Sequence, residues 1–186
     1  MKKRILSYLL ALSMLSVPAL AAESGTENLV RSKTYTGQFS DLPEDHTFYK
    51  NVAALYEYGL SVGQADGTFG LTAPMTVGQT VIFAGRIRSL YRTGAPEAGP
   101  AAFAAAAVSQ KDAWRVYAPY LWYLQSEGVL DKALDDCLTQ PATRAQMAHV
   151  LANLLPEEAL PLINDSLVMS FFIHCFDNIF FSDITR

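Results

Sequence analysis

Two copies of one helix-start signal constrain this chain more than any other feature: Thr76-Val77-Gly78-Gln79 and Thr143-Arg144-Ala145-Gln146. Both have the S/T-x-x-E/Q form of a capping box. The Thr hydroxyl accepts the amide of the third helical residue, and the Gln side chain reaches back to the Thr amide. Each box follows a glycine suited to ending a helix, Gly59 or Gly128. The spacing predicts an internal repeat. Counted from the first box, the following helix carries Thr80, Phe83, Ala84 and Ile87. Counted from the second, it carries Met147, Val150, Leu151 and Leu154. Both sets run i, i+3, i+4, i+7, one face of an α-helix. Before the glycines, Phe48, Val52 and Leu55 match Tyr117, Leu121 and Leu124. Each unit is helix, glycine, loop, box, helix. Neither buries its apolar stripe alone, so the units are expected to pack on each other as an all-α fold.

The first unit carries more detail. It opens with Phe39-Ser40-Asp41 and runs through Gly59, Gly63, Asp66-Gly67 and Phe69 to Pro74 and Thr76. Asp66-Gly67 is a turn pair. This order, F-x-D, helix, G-x-x-x-G-x-x-D-G-x-F, then P-x-T-x-x-Q, resembles the S-layer homology domain. In that family the second helix opens with a T-R-A-E-like motif, which Thr143-Arg144-Ala145-Gln146 matches closely. The resemblance covers about residues 39–155. It implies a pseudo-threefold bundle of three repeats with ligand grooves between them. It also implies a non-catalytic role: anchoring an exported protein to the bacterial cell wall by binding secondary cell-wall polysaccharide that bears anionic pyruvyl groups.

Arg144 stands out on physical grounds as well. A cation in the first turn of a helix opposes the macrodipole, so an acidic residue is the better structural choice there. Arginine beside free first-turn amides builds an anion site, and its fork matches a carboxylate. The plain alternative is a solvated arginine paired with a neighbouring carboxylate. In the first unit Val77 stands where the arginine belongs, so the cation is lost there.

Aromatics crowd the start of the second unit. Tyr117 aligns with Phe48 and is assigned to the core. Trp114, Tyr120 and Trp122 fall off that stripe and are candidate platforms for sugar rings. Pro119 is tolerable only in a first helical turn, which predicts a helix start near Tyr117 or Ala118. The candidate ligand-binding set is thus Thr143, Arg144, Gln146, Trp114, Tyr120 and Trp122, with Asp66 and Gly67 of the loop and Thr76 and Gln79 of the first box.

The ends of the chain suit an exported protein. Lys2, Lys3 and Arg4 precede an apolar run from Ile5 to Leu20, and Ala19-Leu20-Ala21 is a small-x-small cleavage site. Residues 1–21 are expected to be a signal peptide rather than a membrane span or a core helix. The formal charge of −4 becomes −7 once those three cations leave. That acidic balance argues against nucleic acid. Residues 22–38 read as a flexible polar segment, 39–92 as the first repeat and 110–160 as the second. Residues 93–109, rich in Ala, Gly and Pro, read as a passive connector, although the Ala run is also compatible with a short helix. Residues 161–186 read as an aberrant or truncated third repeat. They begin with Leu162-Ile163-Asn164-Asp165 and run through Phe171-Phe172-Ile173 without a glycine loop or box.

No metal or cofactor is expected. The Asp66 loop has too few oxygen side chains for calcium, and His46, His149 and His174 are scattered. Cys137 and Cys175 could pair in an exported chain, but two cysteines form no framework. The reading is a cell-surface wall-anchoring module without enzymatic activity. An exported protein-binding scaffold and a non-functional fragment are the alternatives. An exported enzyme lacks a nucleophile with a paired base.

Overall fold

A computed structural model describes residues 25–159 of the chain and, of Asp112 and Glu158, the backbone alone. The expected signal peptide, Cys175 and the expected third-repeat remnant lie outside the described residues. Within them the protein is all-α. The helices are α1 (Tyr49–Glu57), α2 (Val77–Thr93), α3 (Ala98–Ala107), α4 (Asp112–Ser126) and α5 (Arg144–Ala152).

The two units close their first helices in the same way. Gly59 follows α1 at φ +71° and Gly128 follows α4 at φ +70°, a left-handed conformation that costs glycine little. Gly59 N–H donates to Tyr56 and Leu60 N–H to Leu55; Gly128 donates to Gln125 and Val129 to Leu124. These paired bonds are the Schellman closure, and they satisfy carbonyls that a bare helix end would orphan. Both boxes open the second helices as the sequence predicts. Thr76 and Thr143 accept from the amides of Gln79 and Gln146, and each Gln side chain returns a bond to the Thr amide.

Helix α2 is the central element and packs against α3, α4 and α5. Its expected stripe of Thr80, Phe83, Ala84 and Ile87 is buried, as are Met147, Val150 and Leu154 of the second unit. Val52 and Leu55 of α1 and Leu121 and Leu124 of α4 belong to the same core. Phe48 and Tyr117 pack against it half-buried. Thr80 keeps its hydroxyl satisfied inside by donating to the Thr76 carbonyl at 3.1 Å.

Three expectations change. First, α4 begins at Asp112, and Pro119 sits inside it. Proline removes the amide that would pair with the Arg115 carbonyl. Arg115 and Val116 are exposed, so water can take that carbonyl and the helix continues through.

Second, residues 98–107 are not a passive connector but helix α3, packed on both α2 and α4. The approach is close: a Cβ on Gly99 would run into the Tyr123 ring. Buried Ser89 of α2 holds the entry to α3. Its hydroxyl donates to the Ala95 carbonyl at 2.6 Å and accepts from the Gly99 amide at 2.9 Å.

Third, residues 25–38 form a strap rather than a loose segment. The amides of Ser32 and Lys33 donate to the Glu57 carbonyl, and Gly25 N–H donates to Tyr91. Tyr35 is buried against Phe39, Tyr49 and Tyr56. An aromatic of this size gives a polar segment enough buried area to order it.

Candidate functional site

The lead-in segments of the two boxes lie side by side. Thr76 and Pro141 form an antiparallel bridge. Ala142 N–H donates to the Met75 carbonyl at 2.8 Å, Val77 N–H to Gln140 at 2.9 Å and Gly78 N–H to Leu138 at 2.7 Å. The second unit therefore closes over the helix start of the first. Two first-turn amides of α2, which would otherwise be open to an anion, are spent on carbonyls of the second unit.

This seam explains the departure at Val77. The residue is fully buried, and a charged side chain there would lie in the core. Gly78 is also dictated by the seam, since a Cβ would come within 2.7 Å of the Tyr117 ring. About two helical turns further on, Gly85 faces Tyr120 across a gap that a Cβ would narrow to 3.0 Å. The two glycines, seven residues apart, form the seat for α4.

The second box differs. Thr143, Arg144 and Ala145 are exposed at the start of α5. Arg144 is the first helical residue, and its cation lies at the positive end of the helix. The side chains of Thr143 and Gln146 are engaged in the box itself, with bonds of 3.2 and 2.9 Å. Gln146 also approaches Cys137 Sγ at 3.5 Å. Thr76 and Gln79 are engaged likewise at 3.2 and 2.8 Å. These four residues thus shape the backbone that a ligand would meet.

The aromatic candidates do not converge. Trp114 lines a shallow depression with Lys111 and Thr139, on the lead-in to the second box. The Tyr120 hydroxyl donates to Glu97 at 2.6 Å, and the Arg86 guanidinium lies 5.6 Å from its ring centre. Burial, reinforced by the Glu97 bond, pushes its phenol up to about 12. It is a bundle contact between α4, α2 and the entry to α3. Trp122, two residues on, points about 200° away around the helix from Tyr120.

Asp66 and Gly67 form the tip of the glycine loop. Asp66 Oδ1 accepts from the Thr68 hydroxyl at 2.7 Å and the Thr68 amide at 3.0 Å, and both bonds hold its carboxyl below the usual range. Gly67 takes φ +81° and accepts from the Ser40 amide.

The residue that organises this loop is Asp41. Its carboxylate accepts from the amides of Phe69 at 2.7 Å, Gly70 at 2.9 Å and Leu71 at 3.3 Å. Burial works to raise its pKa, but the three amides outweigh it, so the carboxyl lies below the ordinary range. The F-x-D element was the available sequence signal. Its target amides lie nearly thirty residues away, which pattern alone does not reveal.

The sequence model of the S-layer homology domain family matches residues 38–76, from the residue before Phe39 to the first capping threonine. This part of the chain is an S-layer homology domain. Such domains are non-catalytic modules that anchor proteins by binding secondary cell-wall polymers, and they mark surface proteins associated with S-layers. No curated protein and no solved structure matches the chain. Among the described residues no helix is long and apolar enough to cross a membrane.

Proposed function

We propose that the protein is a secreted wall-anchoring module whose second unit, residues 110–160, is also an S-layer homology repeat, and that it binds anionic, pyruvylated cell-wall polysaccharide at the second capping box. One observation carries this reading: the asymmetry of the two boxes. The first is sealed by the carbonyls of Leu138 and Gln140 and has a buried valine at the arginine position. The second has the same cap, an exposed edge and Arg144. A pyruvyl carboxylate suits it, because a guanidinium binds a carboxylate through two parallel hydrogen bonds and the helix dipole adds to the attraction. Trp114, on the approach to this box, offers an apolar face for a neighbouring sugar ring.

The absence of arginine at Val77 does not argue for a protein-binding scaffold, because burial at the seam accounts for that residue on structural grounds. The test is co-sedimentation of the protein with polysaccharide-bearing wall sacculi. Arg144→Ala should weaken binding at least about tenfold, equivalent to about 1.4 kcal/mol, in a variant that still unfolds in one cooperative transition. Binding should also fall with added salt and on walls stripped of pyruvyl groups. Equal binding by wild type and Arg144→Ala would refute the site. A folded wild type that ignores walls altogether would favour the scaffold reading.

A further inference from the structure

Helix α3 carries no polar side chain. From Ala98 to Val108 the sequence holds only alanine, glycine, proline, phenylalanine and valine. One side of the helix is enclosed: Pro100 and Ala107 are buried, and Gly99 lies against the Tyr123 ring. The opposite side is open. Ala101, Ala104 and Ala105 are exposed, and Val108 at the helix end is 65% exposed.

Val116 extends this surface onto α4. Helix α3 ends at Ala107 and α4 begins at Asp112, so the two form a hairpin that brings Val108 and Val116 to one end. Val116 shares a face of α4 with Tyr120 and Tyr123 at i, i+4, i+7. Tyr123 on that face packs on Gly99, yet Val116 is 56% exposed.

A helix that is apolar all round is normally enclosed all round. With 10 residues, α3 is too short for a bilayer, which takes about 20. Its open face calls for a protein cover. A second copy of the chain is a poor one. The face is about 15 Å long and about 10 Å wide, a footprint far below the ~800 Å² per partner of a stable interface. A segment of the same chain loses no translational freedom on docking and needs less area.

The chain supplies such a segment. Leu167 to Phe176 carries Met169, Phe171, Phe172, Ile173 and Phe176 and no formal charge. The path to it starts beside α3. Arg88 Nη1 of α2 donates to the Leu154 carbonyl, just past α5, at 3.1 Å. Ser89, the next residue, accepts the Gly99 amide at 2.9 Å. The exit from α5 and the start of α3 therefore meet the same turn of α2. Beyond Ala159, residues 160–166 reach up to about 24 Å, more than the length of α3.

We propose that the open face of α3, with Val108 and Val116, is the docking surface for the chain's own segment Leu167–Phe176. The alanines keep the surface flat, so the phenylalanine rings approach it closely and gain contact along its length. The segment closes this face without the glycine loop and capping box of a repeat. The docking is independent of wall binding.

The test uses Cys175, within that segment, as the reporter. In the full chain carrying Cys137→Ser, a second cysteine is introduced by Ala101→Cys, Ala105→Cys or Val108→Cys, all at exposed positions. With oxidised glutathione, peptide mapping should find an intrachain disulfide to Cys175 from at least one of them. It should form at least about tenfold faster than from Asp45→Cys in the loop before α1, because a disulfide needs Cα atoms within about 7 Å. Independently, Ala101→Glu combined with Ala105→Glu keeps a good helix former at both positions but puts charge beneath the segment. Chymotrypsin cleavage at Phe171, Phe172 and Phe176 should then rise at least about tenfold while circular dichroism shows the helices intact.

No position coupling faster than Asp45→Cys, or cleavage unchanged by the two glutamates, would overturn the proposal. Disulfides that form only between chains, with a mass that doubles as concentration rises, would assign the face to a second copy and also overturn it.

Discussion

Replacing Asp41 with alanine should destabilise the protein by about 3 kcal/mol, although the side chain sits at the edge of the core. The figure comes from its three acceptor contacts. The bonds from Phe69 and Gly70 are short, at 2.7 and 2.9 Å, and each ends on a charged oxygen. Hydrogen bonds to charged groups are worth about 1.5–3 kcal/mol, and the low end applies to a half-buried carboxylate that water can partly replace. The third bond, from Leu71 at 3.3 Å, is long and adds little. Asp41→Asn keeps one acceptor oxygen but turns a donor towards the other amides, so it should lose at least half as much.

Urea unfolding followed by tryptophan fluorescence gives the measurement, with the midpoint read at constant m. The pH dependence provides a second check. The Asp41 pKa is depressed in the fold, so its contribution is fully present above the ordinary value of 3.8. It is lost as pH falls from there through the lower folded value. Wild type should therefore lose stability in that acid window more steeply than Asp41→Ala. A variant within about 0.5 kcal/mol of wild type, or with the same acid slope, would show that the amides are satisfied by water and that the loop does not depend on this carboxylate.

Two further outcomes follow from the seam and the bundle. Val77→Arg, which restores a family-like motif to the first box, should cost more than about 3 kcal/mol in the same unfolding assay and gain no wall binding, because the charge enters a fully buried site. A variant as stable as wild type would mean that the two lead-in segments separate in solution. At alkaline pH, the phenols of Tyr120 and Tyr123 are pushed up to about 12. The folded state holds their protons longer than the unfolded state, so stability should be intact below pH 10 and fall as pH rises from there towards 12. Absorbance titration that finds every tyrosine ionising near 10 would contradict this burial.

Much of the fold was legible in the sequence because its signals are local. A capping box depends on residues three positions apart, and a Schellman closure on a glycine and the turn before it. Those rules identified the starts of α2 and α5, the ends of α1 and α4 and the buried stripes. They failed at Pro119, where propensity implied a helix start; Arg115 and Val116 are exposed, so water can take the carbonyl that proline leaves unpaired and the helix runs through. They also undervalued residues 98–107. A run of alanine has no polar face to orient it, and contacts from distant elements, Tyr123 over Gly99 and Ser89 at the entry, make this stretch a packed helix.

The candidate site divides along the same line. By itself the sequence determined that two helices begin with the same cap and that one carries a cation in its first turn. Only the tertiary structure decided that these caps differ in access. The groups that close over Val77 and Gly78 are the carbonyls of Gln140 and Leu138, which come from the segment leading into the second box. Likewise, the aromatic candidates were separated by their partners rather than their type, with Tyr120 drawn inward by Glu97 and Arg86. Caps and stripes are set by chain neighbours a few residues away, whereas the exposure of an amide or a ring depends on which distant segment packs against it.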